Sequence, residues 1–383
     1  MNKIKINYPG PSSQLAGREL LGSDIEIFHD NVIKYFSDSN TEWELNIDSN
    51  LLFDIPGINL ILLTLNKISK NINQVKFRIV LDEATYKNFY SIQSDEQIIN
   101  LPLVAKRKIR SNQDTKHYDC DIILPIVGTK INFPLGLHKP EDIVTPTALL
   151  LPFTNCFDLL FANQIAVISE IKFKASKDPK AILKALLKKF MGDRTRLEEL
   201  AGLSFCKVHP TARVHKTAIL EGAIVGPHAK IGAHTTVRFS YIGANAVLHD
   251  GAKAEYSVVG EGSWLMHDLV LYRAHVESQV FLIHGPYQFS SFHKRSGAFA
   301  TIMMDYRPDE GDIKVVTNNG VRSYKGKFLG SILEEGAKTL GGSLIAPGRT
   351  IPSDTWLGVD AGSIHTLRTD KEISKKIVLG PGY

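Results

Sequence analysis

Cysteine is scarce in this 383-residue chain, and the few cysteines lie far apart. The three are Cys120, Cys156 and Cys206, and no two of them form a C-x-x-C pair. Disulfide frameworks need several paired cysteines, and zinc sites need closely spaced cysteine or histidine ligands. The sequence therefore argues against both, and we expect no metal site and a reducing, cytoplasmic location.

Long apolar runs and strong charge are also missing. A membrane span needs about 18 apolar residues in a row, and the longest stretches here, LLFDIPGINLILLTL and IVTPTALLLPF, are broken by Asp or Pro. The opening residues, MNKIKINYPGPSSQ, lack the apolar core of a secretory signal. The net charge of +5 is small for a nucleic-acid-binding protein. We expect a soluble protein with no membrane span and no nucleic-acid partner.

The composition changes near residue 200, which indicates two domains. Ten of the 13 histidines follow that point. Before it, strand-like segments such as NLILLTL, VKFRIVLD, DCDIILPIVG and TALLLPF alternate with the helix-like SDIEIFHDNVIKYFS. This alternation predicts an α/β layer domain over residues 1–175.

Residues 176–203 have the pattern of a connecting helix. Asp178 is a suitable N-cap, and Pro179 is a suitable first helical residue. Apolar residues form a stripe, and lysines mark the other side, which is more typical of a solvated face than of a binding patch. The stripe comprises Ile182, Leu183, Leu186, Leu187 and Phe190, and the lysines are Lys180, Lys184, Lys188 and Lys189.

A six-residue repeat dominates the second half of the chain. A period of six fits neither an α-helix nor a plain amphipathic strand. It fits a β-helix with three flat sides, in which each unit is one short strand and one turn, with its aliphatic residue pointing inward. We predict such an all-β domain over residues 204–383, with an inserted loop at about 273–330, where the repeat is interrupted. The aliphatic positions are Val208, Val214, Leu220, Val225, Ile231, Val237 and Ile242, and later Ile345, Ile351 and Leu357.

Four stretches of the chain resemble one known family. NCFDLLFANQIAVISEI resembles the helix that leaves a nucleotidyltransferase domain, while EYSVVGEGSWLMHDLVL, DYRPDEGDIKV and YKGKFLGSILEEGAKTLGGSLIAPGRTIP resemble segments of a hexapeptide-repeat domain. The family is the bifunctional N-acetylglucosamine-1-phosphate uridyltransferase/glucosamine-1-phosphate acetyltransferase, with related sugar-nucleotide pyrophosphorylases. The resemblance is strong across roughly residues 205–360. It implies a degenerate nucleotidyltransferase-like α/β domain, a left-handed parallel β-helix and a homotrimer.

The resemblance also implies site residues. His267 falls on the family's catalytic histidine, which takes a proton from the hexosamine amine as it attacks an acyl thioester. Arg238 falls on an arginine that contacts the sugar phosphate, and Tyr306 falls on a tyrosine near the sugar and the acyl group. Further substrate-binding candidates are Asp305, Arg307, Lys325 and Lys327, and the alternative bases are His284 and His293.

Several positions depart from the family's pattern. Glu255 replaces a phosphate-contacting lysine, and Val270 replaces a tyrosine. The glycine-rich phosphate loop of an active nucleotidyltransferase is missing, and Asp82 is the best single candidate for a metal-binding aspartate. His267 itself is either a catalytic base or an outward-facing corner residue.

Three functions therefore stay open. The first is an acyltransferase acting on a sugar phosphate or nucleotide sugar, with acetyl-CoA or another acyl-CoA as donor. The second is a sugar-1-phosphate nucleotidyltransferase with a structural β-helix, which alone would call for Mg. The third is a non-catalytic relative that binds a ligand and trimerises.

Overall fold

The computed structural model describes residues 4–36, 43–68, 72, 74–94, 96–107, 117–131, 141–307, 311–317 and 320–359. The end of the predicted β-helix domain, residues 360–383, lies outside the described residues. The chain divides into two compact units, Met1–Ser169 with Tyr324–Gly326 and Glu170–Ser323 with Lys327–Tyr383. Among the described residues, no helix is both long enough and apolar enough to cross a membrane.

The first unit is an α/β structure built on a five-stranded mixed sheet. In sheet order its strands are β1 (Lys5–Asn7), β4 (Trp43–Ile47), β7 (Ile98–Arg107), β6 (Gln74–Val80) and β8 (His117–Ile123). Three short pairs are β2 (Glu19–Leu20) with β3 (Ser23–Asp24), β5 (Leu51–Phe53) with β11 (Leu150–Pro152), and β9 (Ile126–Ile131) with β10 (Glu141–Pro146). The helices are α1 (Ile25–Phe36), α2 (Ile55–Leu65), α3 (Glu83–Thr85), a π-helix (Tyr86–Tyr90) and α4 (Phe157–Ala175), which runs on into the second unit. In β4 and β6, buried apolar residues alternate with more exposed polar ones, so one sheet face forms the core.

The segment NLILLTL, predicted as a strand, belongs to helix α2. The carboxylate of Asp54 caps this helix by accepting a hydrogen bond from the backbone N–H of Gly57 at 2.7 Å. The same carboxylate also accepts a hydrogen bond from the backbone N–H of Leu149, outside the helix, at 3.0 Å. Pro56 lies in the first turn, where its missing N–H costs nothing. The strand prediction is wrong because a short apolar run carries no periodicity that separates a buried helix from a strand.

Helix α4 begins within the stretch NCFDLLFAN, and the polar residues of this stretch have structural roles. The buried carboxylate of Asp158 accepts hydrogen bonds from the backbone N–H of Thr154 at 2.6 Å and of Asn155 at 2.9 Å. Asn163 accepts a hydrogen bond from the backbone N–H of Leu21 at 2.8 Å. These contacts start the helix and fix the turn between β2 and β3 against it.

The connecting segment is two helices rather than the single helix predicted over residues 176–203. They are α5 (Pro179–Phe190) and α6 (Leu197–Ser204). The predicted cap is confirmed, since the carboxylate of Asp178 accepts a hydrogen bond from the backbone N–H of Lys180 at 2.9 Å. Gly192, with φ +94°, follows the end of α5, and a left-handed residue there stops a helix.

The second unit is a parallel β-solenoid of about nine turns, and each turn crosses three sides, named A, B and C here. Side A comprises β13 (Arg213–Val214), β15 (Lys230–Ile231), β17 (Val247–Leu248), β20 (Trp264–Leu265), β23 (Phe281–Ile283), β26 (Gly297–Phe299), β31 (Lys338–Thr339) and β34 (Trp356–Leu357). Side B comprises the first halves of β14 (Ile219–Val225) and β16 (Thr236–Ile242), then β18 (Lys253–Glu255), β21 (Val270–Tyr272), β24 (Tyr287–Gln288), and the pair β27 (Ile302–Met303) and β32 (Leu344–Ile345). Side C comprises β12 (Cys206–Val208), the second halves of β14 and β16, then β19 (Val258–Val259), β22 (His275–Val276), β25 (Ser291–Phe292), β30 (Ile332–Leu333) and β33 (Thr350–Ile351).

Inward-pointing side chains of successive turns stack into the solenoid core, as the repeat predicted. Each fully buried aliphatic side chain contributes about 1.5–3 kcal/mol, so the stack is a main source of stability. Val208, at the first strand, is exposed. The other predicted positions are either buried in the core, as Val225, Ile231, Val237, Ile242 and Ile345 are, or half-buried against it, as Val214, Leu220, Ile351 and Leu357 are.

The inserted loop predicted at 273–330 is shorter in the structure. Residues 275–303 supply six further solenoid strands. In the described part of residues 304–331 the chain leaves the solenoid and forms the hairpin β28 (Ile313–Thr317) and β29 (Gly320–Tyr324). The inward positions here are Leu282, Tyr287 and Phe292, and the step between them shrinks from six residues to five. Aromatic residues and shorter steps therefore hide the repeat from a six-residue pattern.

Candidate functional site

Several histidines of the solenoid serve its turns. His228, His234 and His284 have φ of 56°, 56° and 54°, the left-handed conformation that His, Asn and Asp adopt more readily than most residues. His209 and His215 accept hydrogen bonds at 3.3 Å from the backbone N–H of the threonine two positions later. The alternative base His284 therefore has a conformational reason for its place in the sequence.

The remaining described histidines of this unit form two groups. His275 and His293 are fully buried on side C and at the corner after it. A general base must reach its substrate, so this burial disfavours His293, the other alternative base. Among the residues that the structure describes, only His249 and His267 are left without a turn-forming or buried position.

His249 and His267 meet at the corner between sides A and B, named corner AB here. Their ring centroids lie 4.7 Å apart, with His267 exposed and His249 half-buried. Burial, and next the neighbouring His267, lower the pKa of His249. The Nε2 atom of His249 is buried and has no hydrogen-bond partner among the described residues. The corner thus presents an accessible imidazole against one that stays neutral.

An aromatic strip runs along side A next to this pair. The Trp264 ring lies 5.8 Å from that of His249 and 6.5 Å from that of Phe281, which in turn lies 5.8 Å from that of Phe299. Trp264 is 47% exposed. The strip offers apolar surface to a ligand or a neighbouring subunit beside His267.

Arg238 lies on side B between two carboxylates. Its Nε is 2.8 Å from the Glu221 carboxylate and its Nη1 is 3.7 Å from the Glu255 carboxylate, because the three residues stack in register on successive turns. The hydrogen bond that Arg238 donates to Glu221 is the largest cause that raises the pKa of Arg238. The cluster carries a net negative charge, since the two carboxylates of Glu221 and Glu255 face one guanidinium. Arg238 is therefore a poor phosphate ligand in this arrangement.

Tyr306 joins a column of aromatic rings at the corner between sides B and C, named corner BC here. Its ring stacks on Phe328 at 5.4 Å, Phe328 stacks on Phe289 at 5.4 Å, and Phe289 meets Tyr272 at 5.6 Å. Phe289 itself has a left-handed φ of 48°, which is strained for a bulky residue. The column holds the start of the departing segment, with Tyr306, against the solenoid.

The other candidate contacts near Tyr306 have different environments. Burial raises the pKa of Asp305. The Nη1 group of Arg307 donates a hydrogen bond to the backbone carbonyl oxygen of Asp312 at 3.1 Å. Lys325 falls in the first unit, where its backbone N–H donates to the Ser91 hydroxyl at 3.0 Å. Lys327 falls in the second unit.

Within one chain, the two predicted catalytic residues, His267 and Tyr306, lie at different corners of the solenoid. His267 and His284 lie at corner AB, whereas Arg238 and Tyr306 lie on or near corner BC. The residues from His267 to Tyr272 run along side B between these corners, which separates them by roughly 15 Å in extended chain.

The sequence interpretation missed His249, Trp264 and Glu221. The spacing of one solenoid turn is the signal that would have identified two of them. Glu221 precedes Arg238 by 17 residues, which is one turn, so the two stack in register; His249 precedes His267 by 18 residues and meets it diagonally from the neighbouring turn. No spacing rule identifies Trp264, because its importance depends on which side-A positions remain exposed.

The candidate metal-binding residue Asp82 is a helix cap. Its carboxylate accepts hydrogen bonds from the backbone N–H of Thr85 at 3.0 Å and from the Thr85 hydroxyl at 2.6 Å. In the described part of the chain, no three His, Cys, Asp or Glu residues are grouped so as to hold a metal ion.

Comparisons with known proteins show likeness in structure only. No protein-family model and no curated protein matches the chain. A hexapeptide transferase family protein from Anaplasma phagocytophilum is 17% identical, covering 40% of this chain and 74% of its own, with a TM-score of 0.19. A UDP-N-acetylglucosamine acyltransferase from Francisella novicida is 9% identical, covering 40% and 56%, with a TM-score of 0.17.

A third solved structure, the acetyltransferase domain of PglB from Neisseria gonorrhoeae in complex with acetyl coenzyme A, is 16% identical. The likeness covers 45% of this chain and 64% of that domain, with a TM-score of 0.16. Likenesses at such low identity and TM-score do not assign a function.

Proposed function

We propose that the protein is an acyltransferase acting on a sugar phosphate or nucleotide sugar, with His267 as general base. The observation that carries this proposal is the placement of His267. It occupies the histidine position of the GEGSWLMHDLVL motif, it is exposed, and its ring meets a neutral His249 rather than a structural partner.

The proposed reaction needs one proton acceptor. An acyl-CoA supplies the activated acyl thioester. The sugar amine attacks its carbonyl carbon, a C–N bond forms, the C–S bond breaks, and the sulfur leaves as a thiolate, which then receives from His267 the proton lost by the amine. His267 takes the proton that the attacking nitrogen loses, and a positioned general base of this kind contributes about 10²–10⁴ in rate.

The neighbouring His249 supports this role by remaining neutral. If His249 carried a charge, the like charge 4.7 Å away would oppose protonation of His267. Burial lowers the pKa of His249, which favours its neutral form, and a neutral His249 adds no charge that opposes the proposed role of its neighbour.

The residues beside His267 fit an acyl-CoA donor. The exposed ring of Trp264, continued by Phe281, provides apolar surface for the pantetheine arm of such a donor. The negative cluster around Arg238 fits phosphate poorly. We therefore expect a substrate phosphate to contact other basic residues, with Arg307 and Lys327 as the candidates.

We further propose a left-handed solenoid assembled as a homotrimer, with each site shared between subunits. The separation of His267 from Tyr306 in one chain supports this proposal. At a subunit interface, corner AB of one chain, with His267, can lie against a different side of the neighbouring chain, so that two subunits together supply the residues of one site. The flat sides and the exposed Trp264 provide the packing surface.

The proposal is tested by incubating the full chain with acetyl-CoA and a panel of hexosamine phosphates and nucleotide amino sugars. Release of free thiol, with the acylated product identified by mass spectrometry, is the expected result for at least one acceptor. Absence of thiol release with every acceptor, or nucleotidyl transfer from a nucleoside triphosphate with magnesium instead, would overturn it. We propose no nucleotidyl transfer, since Asp82 serves as a helix cap.

A further inference from the structure

Helix α5 exposes its apolar side. Leu183 is 59% exposed, Leu186 is 48%, Leu187 is 54% and Phe190 is 92%. Residues four apart on a helix share a face, so Leu183 with Leu187, and Leu186 with Phe190, form one continuous surface. A surface helix normally turns such a stripe toward the core, and this one does the opposite.

The reverse side of α5 explains how the helix is held. Ala181 and Ala185 are buried, and Ala185 packs in a small apolar cluster with Leu200 and Ala201. Leu183 and Leu187 each stand two positions beyond one of these alanines, which is about 200° around the helix axis. The small residues thus hold α5 on the protein, and the large apolar residues face directly away.

The charges of α5 are all of one sign. The helix contains no Asp or Glu, and the nearest carboxylates along the chain, Asp178 and Asp193, lie beyond its two ends. Three exposed lysines, Lys180, Lys184 and Lys189, border the apolar surface, where long side chains can keep their ammonium groups at the edge of an apolar phase. The fourth, Lys188, is half-buried on the side of Ala181 and Ala185.

We propose that the exposed face of α5 (Leu183, Leu186, Leu187 and Phe190 with its bordering lysines) binds an anionic lipid surface. An interfacial helix has an apolar face, lysines along its polar borders and little negative charge, and α5 has each of these. At 12 residues it is shorter than the roughly 20 that a span needs, so it lies in the plane of the interface. The inference does not depend on the proposed acyl transfer.

A second copy of the chain fits this face less well. Two such faces in contact would bring the three bordering lysines of each helix together with no carboxylate from either helix to compensate. Anionic lipid headgroups supply the complementary charge along the border of the face, and the apolar side chains are buried among the lipid acyl chains. The charge pattern therefore selects lipid over self-association.

The test is cosedimentation of the full chain with vesicles. Vesicles of phosphatidylcholine alone are compared with vesicles that contain roughly one-third phosphatidylglycerol, at low and high salt. We expect binding to the anionic vesicles only, weakened by salt. The double substitution Leu187→Glu with Phe190→Glu should lower the bound fraction at least about tenfold. Lys184→Gln with Lys189→Gln, one lysine from each border, should lower it as well and reduce its salt dependence.

A matched control places the same charges on exposed apolar residues elsewhere. Val316→Glu with Val321→Glu, on the hairpin, should bind like the wild type. Equal thermal unfolding of all variants shows that they are folded. Wild-type protein that fails to sediment with anionic vesicles, or an α5 variant that sediments as well as the wild type, overturns the proposal. So does self-association that disappears in the Leu187→Glu, Phe190→Glu variant without any vesicle binding.

Discussion

At the scale of single residues, the backbone explains most of the described histidines of the solenoid. His228, His234 and His284 occupy left-handed corner positions, where few residues other than glycine are comfortable. His267 has ordinary geometry beside Asp268, which takes the left-handed position at that corner. Since no conformational demand places His267 there, its chemistry is the better reason for its presence.

The first residue-scale prediction concerns the neutral partner His249. His249→Lys puts a permanent positive charge next to the His267 ring, which opposes proton uptake, so kcat should fall by about 10- to 100-fold. His249→Gln remains neutral and should stay within about threefold of the wild type. Steady-state acyl-transfer kinetics at neutral pH measure both. His209→Lys, at a distant turn, is the control, and equal kcat values for His249→Lys and the wild type contradict the role given to His249.

A second residue-scale prediction concerns the buried His29 of the first unit. Its ring stacks on that of Phe53 at 3.9 Å, its Nδ1 lies 2.9 Å from the Tyr8 hydroxyl, and burial lowers its pKa to about 3. The unfolded chain binds this proton near pH 6.5, so the unfolded state gains protons first as pH falls. Stability is therefore full above about pH 6.5 and falls by up to about 1.4 kcal/mol per pH unit down to about pH 3.

Urea unfolding followed by fluorescence checks this expectation. Between about pH 6.5 and 4.5 the contribution of His29 to the free energy of unfolding should fall by about 2–3 kcal/mol. His29→Phe keeps the stack on Phe53 and removes the titrating group. The decrease in its free energy of unfolding between these two pH values should therefore be smaller than in the wild type by that amount. An identical decrease in the free energy of unfolding of the two proteins would show that His29 does not cause the loss of stability at low pH.

At the scale of the element, the solenoid turn depends on close approach between neighbouring turns. A Cβ on Gly260 would lie 2.5 Å from the carbonyl carbon of Glu277 in the next turn. Gly262, two residues on, has a left-handed φ of +66°, and its nearest neighbour, Gln279, would be 3.9 Å from a Cβ. The two glycines are thus needed for different reasons, one steric and one conformational.

These two glycines give a matched pair of substitutions. Gly260→Ala forces the backbones of two turns apart and should destabilise the second unit by about 1–3 kcal/mol. Gly262→Asn keeps a residue that tolerates the left-handed region, as Asn245 does one turn earlier, and should cost less than about 1 kcal/mol. Thermal unfolding compares them. A larger loss for Gly262→Asn than for Gly260→Ala would contradict the steric account.

At the scale of the whole molecule, the sequence pattern predicted the regular solenoid turns and missed the irregular turns and the apolar helix α2. The aliphatic positions from Val214 to Ile242 were identifiable, because each must fill the same place in the core. The turns from 275 to 303 were not, because Tyr287 and Phe292 fill that place with larger side chains at shorter steps. Helix α2 was missed because an almost wholly apolar run has no polar face to set its period.

The candidate site was predictable only in part for a similar reason. The motif identified His267, but the neutral state of His249 depends on burial across turns, which no local pattern records. Likewise, the two carboxylates around Arg238 come from the turns on either side of it. The apolar stripe of α5 was identified from the sequence, but the fact that it faces outward was not. The buried residues Ala181 and Ala185 determine which side of the helix packs on the protein.

The central claim is that His267 is the base of an acyl-transfer reaction. The most direct measurement is the turnover number of His267→Ala, with the acceptor that gives product in the wild type, beside His234→Asn, which keeps a left-handed corner of the same kind. The account predicts that kcat of His267→Ala falls about 10²–10⁴-fold, while His234→Asn retains wild-type turnover. Unchanged turnover in His267→Ala would contradict it.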